Sequence, residues 1–272
     1  MRGIFLDALF EEMQEDESLF FLTADMGINL VEKFEETFPN RFLNVGIAEQ
    51  NLIGIAAGLA ESGMKPYVYT ISNFLAHRAL EQIRNDLVLH NLPVTLIGTS
   101  TGYDNGALGP THHMLEDWGI LSAFPNLRIF APYSKVSAKE IFKETLASSG
   151  VKYVRISKGS GLDDSFVKEI DPTIKHQVLS YGSAVNYAAE IAINSGANFL
   201  AISELGKESE QFFNKYCRDV ETITIVEDHF SNVGLYSYLC QWLVANRIDC
   251  MVQSISPKDY SLKVGIDFPD FI

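Results

Sequence analysis

Arg41-Phe42-Leu43-Asn44-Val45-Gly46-Ile47-Ala48-Glu49-Gln50-Asn51-Leu52-Ile53-Gly54 passes from a short apolar run into helical periodicity. Residues 42–45 read as a strand and 48–62 as a helix, with Glu49 at the junction. Outward from this stretch the same alternation continues in both directions. Helical periodicity covers 3–15, 29–38, 74–90, 134–148, 183–194, 208–216 and 233–246. Strand candidates lie at 20–23, 67–70, 94–97, 127–131, 153–156, 199–202, 222–226 and 251–254. Several of these runs are continuously apolar, as expected of parallel strands covered by helices on both faces. The pattern predicts an α/β fold of two doubly wound domains with mainly parallel sheets. A polar stretch opens at Gly159-Ser160-Gly161-Leu162-Asp163-Asp164 and ends near Asp171-Pro172. It predicts a first domain over 1–160, a linker over 161–175 and a second domain over 176–272.

The chain has 272 residues, 47% hydrophobic and 21% charged, with a formal net charge of −14. This composition excludes disordered and fibrous classes. The acidic balance argues against nucleic acid and anionic membrane surfaces as partners, since both call for clustered Lys and Arg. Cys217, Cys240 and Cys250 show no CxxC spacing, so neither a zinc site nor a disulfide framework is read. No run approaches a membrane span, and Asp7, Glu11 and Glu12 interrupt the N-terminal apolar residues. A cytoplasmic protein is expected.

Three segments could carry chemistry. Glu49 is the only charged residue between Leu43 and Ala60. It is either an ordinary first-turn glutamate favoured by the helix dipole, or a carboxylate in apolar surroundings that shares a proton with a ligand nitrogen. The Gly-rich loop 100–114 follows a strand and contains Gly106-Ala107-Leu108-Gly109-Pro110-Thr111-His112-His113. Long loops at the carboxyl ends of strands in open α/β sheets are binding edges. Adjacent histidines rarely face one ion, and Glu116 and Asp117 give no recognised ligand spacing, so no metal site is assigned to this chain. One histidine is expected to meet a polar substrate and the other to pack locally. Lys158, in Val154-Arg155-Ile156-Ser157-Lys158-Gly159, either meets an anion or is a solvated edge lysine. No nucleophile elbow, Walker loop or dinucleotide fingerprint occurs.

In this order the segments resemble the pyrimidine-binding and C-terminal domains of the transketolase family of thiamine-diphosphate enzymes, over nearly the whole chain. Arg41 through Gln50 resembles the family's cofactor-activating segment, Gly109-Pro110-Thr111-His112 its substrate loop. Ser180-Tyr181-Gly182-Ser183-Ala184-Val185 and Val226-Glu227-Asp228-His229 look like its C-terminal-domain signatures. The resemblance implies that Glu49 bonds the aminopyrimidine nitrogen N1′ and favours the imino tautomer. It further implies that Phe74 stacks on the pyrimidine, that Ile47 and Asp25 line the cofactor cleft, and that His112 bonds donor hydroxyls. Both Glu49 and His112 would then be catalytic.

The departures are equally informative. Leu108 stands where sugar-phosphate transketolases have Asp, Ser100 where they have His, and Lys158 where they have Arg. These substrate-binding positions imply a non-standard sugar, because an ammonium does not replace a bidentate guanidinium. The family's Gly-Asp-Gly segment for the diphosphate and its divalent metal, Mg²⁺ or Ca²⁺, is absent. The resemblance therefore implies one half of a split transketolase, transferring a ketol unit from a ketose to an aldose. A partner subunit would carry the diphosphate and metal site, in a heterotetramer. The alternatives are a 2-oxoacid dehydrogenase β-type or deoxyxylulose-phosphate-synthase-like subunit, and a non-catalytic regulatory half.

Overall fold

Parallel pairing runs through both sheets of the chain. A computed structural model describes residues 1–159, 161–166, 170–206, 209–260 and 262. Residues 167–169 of the expected linker and 263–272 of the expected second domain lie outside the described residues. In chain order the elements are α1 (Arg2–Glu15), β1 (Leu19–Thr23), α2 (Glu32–Thr37), β2 (Phe42–Asn44), α3 (Glu49–Glu61), β3 (Lys65–Ile71), α4 (Leu80–Gln82), β4 (Thr95–Thr99), α5 (Asp117–Leu121), β5 (Arg128–Phe130), α6 (Lys135–Ala147) and β6 (Lys152–Ile156). They continue with β7 (His176–Ser180), α7 (Val185–Ser195), β8 (Asn198–Ala201), β9 (Glu204–Leu205), α8 (Ser209–Tyr216), β10 (Thr222–Val226), α9 (Leu235–Asn246) and β11 (Met251–Ile255). One sheet has the order β2-β1-β3-β4-β6-β5-β9 and the other β11-β10-β7-β8.

Successive strand side chains point to opposite faces, and here both faces are apolar. Leu22, Val68, Leu96 and Tyr153 pack with Leu52, Ile53 and Ala56 of α3. Their sequence neighbours Phe21, Tyr67, Ile97 and Val154 pack on the other side with Phe5, Leu9 and Met13 of α1 and Ile141 and Phe142 of α6. This is the doubly wound arrangement that continuously apolar strands predict. The Ser134 hydroxyl starts α6 by accepting from Ser137 N at 3.2 Å, while the Ser137 hydroxyl accepts from Ser134 N at 2.8 Å.

The two sheets share more than a linker. Strand β9, beyond the expected linker, adds antiparallel to β5 through Phe130↔Glu204 and Ile129↔Leu205. One apolar cluster runs from Trp118 and Leu121 to Leu179, Tyr181, Phe213 and Leu239, with the Trp118 and Tyr181 rings 5.5 Å apart.

Some elements differ from the sequence expectation. Strand β7 lies outside the expected strands, because His176-Gln177-Val178-Leu179-Ser180 places polar residues at both ends of a short apolar core. The helix expected over 29–38 contracts to α2, since Gly27 and Asn29 take left-handed φ of 101° and 66° and turn the chain first. The helix expected over 74–90 is π-helical at Phe74–Arg78 and Ile83–Val88 around the short α4. Wide turns of this kind shift side chains off the 3.6-residue stripe and occur frequently at functional sites. No helix among the described residues is long and apolar enough to cross a membrane.

Candidate active site

The segments singled out from the sequence follow the carboxyl ends of β2, β1, β3, β4 and β6, which are consecutive neighbours in the first sheet. Ligands gather at this edge of open α/β sheets. Glu49 opens α3 and its side chain is only 2% exposed. Burial at a helix N-terminus would leave a carboxylate dependent on the dipole and on whatever donor reaches it. That donor is Arg78, whose Nη1 bonds Glu49 Oε2 at 2.6 Å while 45% of its side chain stays exposed. The apolar surroundings expected for Glu49 are therefore corrected by an arginine: Arg78 lies on the π-helical turn, which brings it back to the end of β2.

Phe74 occupies the same turn. The Arg78 guanidinium lies 4.6 Å from the centre of its ring, and the His112 ring meets it edge-on at 5.3 Å. Glu49, Arg78, Phe74 and His112 thus form one contiguous group. His112 Nδ1 lies 3.0 Å from the Thr111 hydroxyl, while His113 is fully buried against the Tyr103 ring. Asn73 Nδ2 donates to the His113 carbonyl at 2.5 Å, fastening the loop to the π-helical turn.

The remaining candidate residues have different surroundings. Asp25 is exposed, with φ of 48°, and its N–H donates to Asn44 Oδ1 at 2.9 Å; Gly46 N donates to the same oxygen at 3.0 Å. Asn44 thereby couples the loops after β1 and β2. Ile47 points outward at 76% exposure and Leu108 at 56%. Ser100 is fully buried with φ of 63°, and the hydroxyls of Thr99, Ser100 and Thr101 have no hydrogen-bond partner among the described residues.

Lys158 is exposed and is also tied to the neighbouring loop. Its N–H donates to Asp104 Oδ2 at 2.6 Å, and its ammonium donates to Asn105 Oδ1, so β6 is tied to the 100–114 loop. Burial pushes the Asp104 carboxyl up to about 6 against the opposing bond from the Lys158 N–H. An acid raised in this way holds an extra proton in the folded chain between about pH 4 and 6, so stability falls as pH rises through that window. Asp104→Asn, which keeps an oxygen for the Lys158 N–H, is expected to flatten that decline. Urea midpoints from pH 4 to 7 measure it, and equal slopes for the two proteins would refute it.

A second buried polar group joins the two sheets. Arg155, on β6, donates from Nε to Asp117 Oδ2 at 3.1 Å and from Nη1 to Asp228 Oδ1 at 3.0 Å. Tyr153 donates to Asp117 Oδ2 at 2.7 Å, and His229 bonds Asp117 and lies 3.3 Å from Asp228. Tyr181 donates to Glu227 Oε2 at 2.9 Å, an oxygen that also accepts from Leu235 N at 2.6 Å. Burial pushes the Asp228 carboxyl up, but Arg155 and His229 outweigh it and hold the group at about 2. Asp117 is held below the usual carboxylate range by the same competition between burial and the charges of Arg155 and His229. Gly182 has φ of 58°, and a Cβ there would stand 2.8 Å from Arg155 Nη1, so glycine lets the second sheet approach. The sequence marks 226–229 and 180–185 as signatures but carries no sign that Arg155 and Asp117 complete them. Arg78 is equally hidden, within a stretch that reads only as a helix.

Known proteins match the chain in sequence and fold. The family model described as the transketolase pyrimidine-binding domain matches residues 1–161. An apulose-4-phosphate transketolase subunit from Actinobacillus succinogenes is 32% identical over 227 residues, 78% of this chain and 72% of that protein. The protein of the same name from Phocaeicola vulgatus is 28% identical over 93% of this chain and 86% of that protein. A solved structure described as a split gene transketolase in an inactive β4 tetramer aligns with a TM-score of 0.80 and 27% identity, covering 95% of this chain and 89% of that one. The match over residues 1–161 includes every strand end from which the Glu49 group is built, and on it the chain belongs to the transketolase family.

Proposed function

We propose that this chain is the pyrimidine-site subunit of a two-component, thiamine-diphosphate-dependent transketolase. It would transfer a two-carbon ketol unit from a phosphorylated ketose to an aldose. The observation that carries the reading is the convergence of Glu49, Phe74 and His112 at one sheet edge. These residues fit the aminopyrimidine end of the cofactor: a buried carboxylate held through one oxygen by Arg78, beside an aromatic ring at the cleft. When bound, the cofactor supplies an acidic thiazolium carbon whose conjugate base attacks carbonyls.

The chain's own residues supply orientation and proton control. Glu49 holds a proton at the pyrimidine nitrogen, in a site from which burial excludes water. Phe74 flanks the ring, and His112 bonds a hydroxyl of the donor sugar. Asp25 and Asn44 shape the neighbouring cleft wall. With no Gly-Asp-Gly segment in the chain, the diphosphate and its divalent metal fall to a partner subunit. Exposed Ile28, Ile47 and Leu108, on the loops after β1, β2 and β4, suit an apolar partner surface. The two bacterial relatives are named for apulose 4-phosphate. Leu108 and Ser100, which depart from the pattern for common sugar phosphates, agree with such an unusual phosphorylated ketose as donor.

The test is to co-express the chain with a candidate partner that carries Gly-Asp-Gly and to assay ketol transfer from apulose 4-phosphate, from ordinary pentose phosphates and from pyruvate. Transfer from a ketose phosphate by the pair alone supports the proposal. Pyruvate decarboxylation without ketol transfer would replace it with the synthase-like reading.

A further inference from the structure

Glu49 has two carboxylate oxygens, and the structure gives them different surroundings. Oε2 accepts from Arg78 Nη1 at 2.6 Å, whereas no other side chain among the described residues donates to the carboxylate. The pairing is asymmetric in exposure as well, since Glu49 is 2% exposed and Arg78 45%. The guanidinium is itself held in place: it lies over Phe74, 4.6 Å from the ring centre, and Phe74 in turn meets His112 at 5.3 Å. One cation therefore touches the buried acid and the aromatic ring beside it, from the π-helical turn Phe74–Arg78 that follows β3.

We propose that Arg78 is the positioning residue for Glu49: it holds Oε2, presents Oε1 to the ring nitrogen of the cofactor, and biases the proton they share toward the ring. This rests on the transketolase reading of the site and adds to it a residue that the reading did not include. The physical consequence is a choice of proton location. If Arg78 sets the place of that proton, cofactor binding to the wild-type complex would put a proton on the ring nitrogen, and the positive ring would acidify its exocyclic amino group. Without Arg78 the ring would still be bonded by the carboxyl but left neutral. Hydrogen bonding to the ring survives in both cases, so cofactor affinity is a poor reporter of Arg78 and proton uptake a direct one.

The experiment measures thiamine diphosphate binding with Mg²⁺ to the two-subunit complex by calorimetry near pH 7.5, in buffers of different ionisation enthalpy. The wild-type complex is expected to take up about one proton per cofactor bound, Arg78→Lys nearly as much, and Arg78→Met close to none. Turnover of Arg78→Met is expected to fall at least tenfold, with less than a tenfold change in cofactor dissociation constant. Because Arg78 is half exposed, both variants should fold, and thermal melting checks this. Equal proton uptake by wild type and a folded Arg78→Met would overturn the proposal. Glu49→Gln separates the two readings. If that complex still turns over, the transketolase assignment of Glu49 fails; if it is inactive while Arg78→Met takes up the wild-type proton, only the role of Arg78 fails.

Discussion

Arg155→Met is expected to lower the unfolding free energy by about 3–5 kcal/mol, the range seen when one partner of a buried ion pair is removed. Asp117 and Asp228 are both fully buried, and Arg155 bonds each of them from opposite ends of one guanidinium. Methionine fills a comparable volume but leaves two carboxylates facing each other across the junction of the sheets. His229, also fully buried, then remains as the compensating cation, and burial opposes its charge. Arg155→Lys is expected to recover only part of the loss, because an ammonium cannot span both carboxylates as a fork does.

Urea unfolding at pH 7 checks the magnitude, and a loss below about 1 kcal/mol would mean that the cluster contributes little over a solvated pair. The acid limb gives a second readout. Asp228 is held at about 2, against an ordinary aspartate value of 3.8. Its contribution is therefore fully present above about pH 4 and is lost as pH falls toward 2. Wild-type stability should drop steeply across that interval, and Arg155→Met should lose most of that steepness.

Glu49→Gln is expected to reduce turnover of the assembled enzyme by about 10²–10⁴-fold, the usual range for removing a positioned proton-transfer group. Stability should move the other way or not at all. The substitution replaces an acid at 2% exposure by an amide of the same shape, and the Arg78 side chain beside it is half exposed and can turn to water. Lost activity with a kept or raised melting temperature would mark a site that gives up stability for chemistry. An unchanged turnover number would remove Glu49 from the mechanism and return it to an ordinary first-turn helix residue. The contrast with Arg155 is instructive: both are buried charged groups, but one faces the sheet edge and the other is walled in by protein on every side.

Much of this is legible in the sequence because it is local. The passage from Phe42 to Leu52 carries its own strand-to-helix signal, and Glu49 stands out as a lone charge within it. The 100–114 loop is marked by glycines and histidines, and its place after an apolar run puts it at a strand's carboxyl end. Other features are illegible for identifiable reasons. Arg78 sits at a position that a regular helix would aim elsewhere; the π-helical turn that brings it to Glu49 leaves no periodic trace. The bond from the Lys158 ammonium to Asn105, 53 residues earlier in the chain, leaves no sequence trace either. Strand β9 is two residues long and exists only because β5 offers it an edge.

Sequence alone determined the α/β class and the kind of residue that follows several strands of the first sheet, since periodicity and junction chemistry are written within a few residues. Tertiary structure decided the partners. Asp117 meets His229 across 112 positions and Arg155 meets Asp228 across 73. Which charges neutralise one another depends on sheet order and on how the two sheets dock, and both follow from packing of the whole chain rather than from any segment of it.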